Sequence, residues 1–214
     1  MRSAGAAVVL QSVAVLLSYP DEGRRATWPT VRVAAEGLPP GIPRERLGAF
    51  LDTADSRDPR ELAEHYVAVF DRRRRCCPYL TWWTDGETRR RGASLAALKQ
   101  RYRAAGVEPV EGELPDYLPL VCEYAATADL ADGLALLQEH RPGVELLRLA
   151  LADAQTPYVL LLEALCALLP GPSPQDRAAA QRLARSGPPV EQVGLEPFPV
   201  PSAAPSAPVP GGRR

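Results

Sequence analysis

Residues Tyr66–Gly106 read YVAVFDRRRRCCPYLTWWTDGETRRRGASLAALKQRYRAAG. Both flanks carry helical spacing: Leu62, Tyr66, Val69 and Phe70 share one face, and Leu95, Leu98 and Tyr102 share another. Gly106 then stands where a helix ends on a left-handed residue without a Cβ clash. Between the flanks lie Arg72–Arg75, Cys76–Cys77, Trp82–Trp83 and Arg89–Arg91, a concentration of cations and indoles in a chain whose net charge is -1.

The same helical period recurs on both sides, and strand alternation is scarce. Helices are predicted at about 6–18, 24–36, 43–54, 59–71, 86–105, 115–128, 129–138, 142–154, 157–169 and 174–186. Asp58, Pro59 and Glu61 supply an N-cap, a first-turn proline and an N3 acid. Asp85 is expected to cap the helix that follows it, and Ser173–Pro174 to open the last one. The apolar run near the N-terminus can be read as a signal peptide, but Gln11 and Ser12 interrupt it and it is too short to span a bilayer. A buried first helix is the preferred reading. The pattern predicts an all-α, single helical-bundle domain over 1–186. The Pro/Ala-rich stretch 187–214, with Phe198 its one aromatic, is expected to be a disordered tail.

Chemistry is sparse. Cys76 and Cys77 are adjacent, lack the paired spacing of a structural zinc site, and have only His65 and His140 as histidine partners, so no metal is expected. Cys122 and Cys166 sit in apolar patterns as small core residues, which suits a reducing, cytoplasmic setting. No nucleophile elbow, phosphate loop or dinucleotide fingerprint is present, and no catalytic residue is expected. Arg72–Arg75, Arg89–Arg91, Tyr79 and the tryptophans mix cations with stacking surfaces, as a single-strand nucleic-acid binder does. The near-neutral charge speaks against that class.

A protein-binding surface accounts for more. Three arginines in the first turn of a helix oppose its dipole and call for acidic partners or an anionic ligand. From Ala104 to His140 there is no lysine or arginine, while Glu108, Glu111, Glu113, Asp116, Glu123, Asp129, Asp132 and Glu139 are all present. These acids can neutralise the arginine segment or receive a basic peptide. Asp116 and Glu123, seven apart, are expected on one helix face. Adjacent indoles on a helix diverge by about 100°, so one of Trp82 and Trp83 is expected in the core.

With these residues in view, Tyr66–Gly106, the later ELPDYLPLVCEYAA and the early LLSYPDE resemble the nitrate reductase delta subunit family of molybdenum cofactor assembly chaperones. The motifs cover roughly residues 10–125; beyond that only helical pattern is shared. Departures are mild: tryptophans replace a usual tyrosine pair, Asp85 takes a variable position, and Cys77 is a local variation. The resemblance implies a cytoplasmic, non-catalytic chaperone of the redox-enzyme maturation type, without a resident cofactor and without stable membrane association. Its implied partner is the N-terminal segment of the apo catalytic (alpha) subunit of respiratory nitrate reductase. That subunit is held competent for molybdenum cofactor and iron–sulfur insertion. The residues expected to bind it are Phe70, Tyr79, Trp82, Trp83 and Tyr117 as apolar anchors, with Asp85, Asp116 and Glu123 facing its cations. Arg89, Arg90 and Arg91 either knit the groove together or face the phosphate-rich cofactor. A chaperone for another molybdoenzyme, or a small RNA-binding helical protein, are the alternatives.

Overall fold

A computed structural model describes residues 2–108 and 112–185. Twelve α-helices lie among them: α1 Arg2–Leu16, α2 Glu22–Ala26, α3 Trp28–Glu36, α4 Ile42–Asp55, α5 Pro59–Tyr66, α6 Leu80–Asp85, α7 Arg89–Ala104, α8 Leu118–Thr127, α9 Leu130–Glu139, α10 Arg141–Asp153, α11 Tyr158–Cys166 and α12 Arg177–Arg185. A π turn (Val67–Asp71) extends α5, and a 3₁₀ turn (Arg74–Cys76) follows it. The region expected to form a disordered tail lies outside the described residues.

α1 is the spine. Val9, Leu10, Val13, Ala14, Leu16 and Leu17 are buried, and the helix packs on α8, α11 and α3. It is thus the buried first helix that its apolar spacing suggested. α4 packs on α11, α8 on α9, and α10 on α11 and α12, so one continuous core runs through the chain. Each fully buried leucine contributes about 1.5–3 kcal/mol of transfer free energy. At the centre is Tyr158, ringed by Phe50, Tyr66 and Phe70 with centroids 5.3, 5.8 and 4.9 Å away. Phe70, expected on the partner surface, is 7 % exposed and belongs to this core. The correction has a simple cause: the π turn carries α5's buried face on through Val69 and Phe70.

Most predicted helices appear within a few residues, and the differences have local causes. The stretch 24–36 is broken at Thr27, with Pro29 in the first turn of α3. Asp58 caps α5 by accepting from the Arg60 N–H at 2.8 Å, as its sequence implied. Asp85 does not cap α7. It ends α6, and Thr88 takes the capping position without a side-chain bond to the helix. Ser173–Pro174 do not open α12 either; Asp176 accepts from the Ala179 N–H at 2.7 Å, and Ser173 donates to buried Glu145. Gly106, with φ 76°, terminates α7 as predicted.

Candidate functional site

The segment Pro78–Thr81 is pinned to Pro115–Leu118. Leu80 N–H donates to the Asp116 carbonyl and Leu118 N–H to the Pro78 carbonyl, each at 2.9 Å. This short antiparallel bridge, centred on Tyr79 and Tyr117, is the one piece of extended pairing among the described residues. Pro78 and Pro115 favour it, because proline disfavours helix for the residue before it. α8 therefore starts at Leu118, later than expected, and Asp116 lies ahead of the helix.

That shift overturns one expectation. Asp116, placed by spacing on the rim with Glu123, is 0 % exposed. It accepts from the Thr81 N–H at 3.0 Å and from the Thr81 hydroxyl, and lies 3.7 Å from the Arg91 guanidinium. Arg91 also donates from Nε to Thr81 Oγ1 and sits over the Tyr79 ring, 5.9 Å from its centroid. Of the three first-turn arginines, Arg91 is thus the knitting residue. Arg89 and Arg90 are exposed and form no ion pair among the described residues. Glu123 is exposed on α8, and Asp85 is half-buried at the end of α6.

The bridge sets Tyr79 and Tyr117 side by side, centroids 5.4 Å apart. The Tyr117 hydroxyl lies 3.0 Å from that of Tyr66, and Tyr66 meets Tyr19 edge-on at 5.4 Å. A strip of tyrosines therefore runs from the exit of α1 across the bridge. Tyr19 is 45 % exposed, and Leu114, beside Tyr117, is 40 % exposed. Carboxylates edge the strip. Glu113 accepts from the Tyr79 hydroxyl at 3.0 Å, and Asp21 and Glu22 follow Tyr19. Burial, and then the nearby Glu113 charge, push the Tyr79 hydroxyl up, so it remains a donor at neutral pH. Tyr19, Glu113 and Leu114 were not foreseen as site residues. Their signal was present in the SYPDE and ELPDYLP stretches, but only the tertiary fold brings those stretches together, through Tyr66, which meets Tyr19 and Tyr117.

The indoles occupy a second neighbourhood. Trp83 donates from Nε1 to the Cys77 carbonyl at 3.0 Å and packs on α10, where a Cβ on Gly143 would come within 2.9 Å of the Trp83 Cβ. Trp82 is half-buried beneath Arg74, whose guanidinium is 5.2 Å from the ring centroid and 2.7 Å from Glu87. No ring contact joins either indole to Tyr79 or Tyr117 among the described residues. The indoles thus stack on neither tyrosine, although the Trp82 backbone N–H donates to the Tyr79 carbonyl at 3.3 Å. Among the described residues, no cluster of three or more His, Cys, Asp or Glu is placed to hold a metal, and no helix is long and apolar enough to cross a membrane.

The fold is shared with the crystal structure of a redox enzyme maturation protein from Archaeoglobus fulgidus, which superposes with a TM-score of 0.57, covering 74 % of this chain and 90 % of that one at 20 % identity. The chain belongs to the nitrate reductase delta subunit family, whose profile matches residues 36–163. It is 36 % identical over 162 residues to the nitrate reductase molybdenum cofactor assembly chaperone NarJ of Bacillus subtilis, covering 76 % of this chain and 88 % of that protein. To the Escherichia coli K12 NarJ it is 31 % identical, over 75 % of this chain and 69 % of the relative. The nitrate reductase-like protein NarX of Mycobacterium tuberculosis is 38 % identical over 159 residues. This chain spans only about a quarter of NarX, 24 % of its length. The Bacillus and Escherichia relatives are named as assembly chaperones, not as catalysts.

Proposed function

We propose that this chain is a nitrate reductase assembly chaperone. In this reading it holds the apo catalytic subunit, through that subunit's N-terminal segment, competent for molybdenum cofactor and iron–sulfur insertion. The segment docks on the tyrosine strip. One observation carries the placement: the three stretches that bear the family likeness, SYPDE, PYLT and LPDYLP, converge there. Tyr19, Tyr79 and Tyr117 offer amphipathic anchors of the type that dominates binding energy, and exposed Leu114 adds apolar surface beside them. Glu113, Asp21 and Glu22 offer charge to a basic amphipathic helix lying in the strip.

Calorimetry with a synthetic peptide of the catalytic subunit's N-terminus tests this. Binding at about micromolar affinity is expected, corresponding to roughly 8 kcal/mol. Tyr19→Ala and Leu114→Ala should each weaken it by about tenfold or more, the size of a hot-spot truncation. A competing position exists at the other end of α1, where Gly5, Val9, Leu38, Pro39 and Leu168 line an apolar groove of about 520 Å³. Binding lost in Leu168→Glu but kept in Tyr19→Ala would move the client there. Binding of a different molybdoenzyme's peptide in preference would change the client, and tight, salt-sensitive RNA binding in place of peptide would remove the chaperone reading.

A further inference from the structure

Leu38, Pro39 and Pro40, in the turn between α3 and α4, stand with Gly5 and Val9 of α1 and Leu168, just past α11, around the apolar groove at the far end of α1 from Tyr19. No charged or hydrogen-bonding side chain lines it. Pro39 and Pro40 are exposed, and Ile42 beyond them is 53 % exposed. An open apolar surface of this kind marks a docking site for another apolar segment.

Charge at the groove selects among occupants. Arg44 is exposed, donates to the Leu38 carbonyl at 3.2 Å and has no carboxylate partner among the described residues. Glu36 and Glu45 lie in the adjoining depression, outside the groove lining. A basic amphipathic helix, which suits the tyrosine strip, finds no acid in the groove and a cation at its wall. An apolar segment carrying an acid matches it. The chain contains such a segment. No lysine or arginine occurs from Ser186 to Gly212, and Leu195–Val200 reads LEPFPV. Pro197 and Pro199 fix their own φ and disfavour helix at Glu196 and Phe198. In the polyproline form this favours, residues three apart share a face, as Leu195 and Phe198 then do.

The segment is long enough to arrive. The nine residues of α12 place Arg185 within about 14 Å of the start of that helix. The chain from Arg185 to Leu195 spans up to about 33 Å, which leaves about 20 Å after that length is retraced. A depression lined by Gln175, Ser173, Ala167 and Ile42 leads from the start of α12 to the groove, and Ala167 lines both.

We infer that the groove receives this chain's own Leu195–Val200 segment. Leu195 and Phe198 enter the groove, and Glu196 meets Arg44. The prolines lower the ordering cost of docking. Tethering holds the segment at an effective concentration on the order of millimolar, so a weak intrinsic affinity suffices.

Fluorine NMR tests this on the full-length chain labelled with 4-fluorophenylalanine. The chain has three phenylalanines, Phe50, Phe70 and Phe198, and Phe198→Ala assigns the third signal. The reference is a synthetic peptide of residues 194–202 labelled at Phe198. The Phe198 signal of the parent should be displaced from that of the peptide. Leu168→Glu should return it to the peptide position while the signals of buried Phe50 and Phe70 stay in place, which shows that the fold is intact. Leu195→Asp, outside the helical core, should return it in the same way. No client peptide is present, so the result does not depend on where the client docks. The proposal is overturned if the parent's Phe198 signal coincides with that of the peptide, or stays displaced in both variants. It is overturned equally if Tyr19→Ala releases Phe198, which would place the segment on the tyrosine strip. A displacement that vanishes on dilution would assign the groove to the segment of a second copy instead.

Discussion

Asp116 shows how little a residue's type says about its task. Its carboxylate is sealed beneath the Tyr79–Tyr117 bridge and satisfies two donors of Thr81 with Arg91 close by. Asp116→Ala should cost on the order of 3 kcal/mol, because it leaves a buried N–H, a buried hydroxyl and a cation without their acceptor. Asp116→Asn keeps one acceptor oxygen and should cost roughly half as much. Urea unfolding measures both; a loss below about 0.5 kcal/mol in the alanine variant would mean that the bridge stands without it. The sequence displayed Asp116 as one of eight acids in a cation-free run. Nothing in its neighbours announced that two prolines would pull it out of the helix and under a pair of tyrosines. Exposed Glu123, by contrast, sits on α8 as the periodicity implied. At the same scale, burial is the main cause that holds both His65 and His140 below their ordinary value of 6.5. Arg57 and Arg73 add to this at His65. Around His140, Glu139, Asp116 and Asp85 oppose it and Arg101 reinforces it. The unfolded chain therefore binds more protons than the folded one once pH drops below about 6.5. Stability is fully present above that point and should decline as the pH falls below it toward the depressed values. His140→Gln should flatten the slope, and thermal melts across that range would show it.

Elements were legible where period and caps agreed, and obscure where backbone pairing decided. α1, α4, α5, α10 and α11 follow from apolar spacing, with Asp58 and Pro59 marking the start of α5 as well. α6 was not foreseen. Its six residues are too few to show a helical period, and Leu80 and Thr81 turn inward while Trp82 and Trp83 cover its flanks. Helix contacts made through glycine are equally silent in a pattern of apolar residues. On α9, a Cβ at Gly133 would come within 2.2 Å of the Ala125 Cβ and 2.5 Å of its Cα on α8. That contact is with backbone, so side-chain rotation cannot relieve it. Gly133→Ala should raise helix propensity by about 1 kcal/mol yet destabilise the protein by about 1–3 kcal/mol net, as overpacking against a rigid neighbour does. A melting temperature at or above the parent's would show that α8 and α9 can separate without penalty.

Across the whole molecule, α7 is fastened unevenly. Its buried side chains, Leu98 and Tyr102, lie in its second half. There Tyr102 meets Tyr124 in a tilted ring contact at 4.6 Å and donates to the Pro115 carbonyl at 2.7 Å. Arg101 reaches across to α9, donating to Asp132 at 2.8 Å and to Glu139 at 2.9 and 3.2 Å, while Tyr124 donates to the same Asp132. In the first turns Arg91 is tied to Thr81 and Asp116, while Arg89 and Arg90 carry no such ties among the described residues. Hydrogen exchange should therefore be faster in the first half of α7 than in the second, and Arg101→Ala should raise exchange chiefly in the second. The Arg101 hydrogen bonds, followed by that of Tyr124, hold the Asp132 carboxyl below its ordinary 3.8. Its contribution is thus present above about pH 4 and is lost as pH falls through the depressed value. The pair is partly open to solvent, with side chains 26 and 32 % exposed, so screening limits the network to about 1–2 kcal/mol. Unfolding free energies of the parent and Arg101→Ala from urea titrations should differ by that amount at neutral pH and converge as the pH falls through the depressed value. A gap that persists in acid would mean that Arg101 acts through packing rather than charge, leaving α7 anchored by Leu98 and Tyr102 alone.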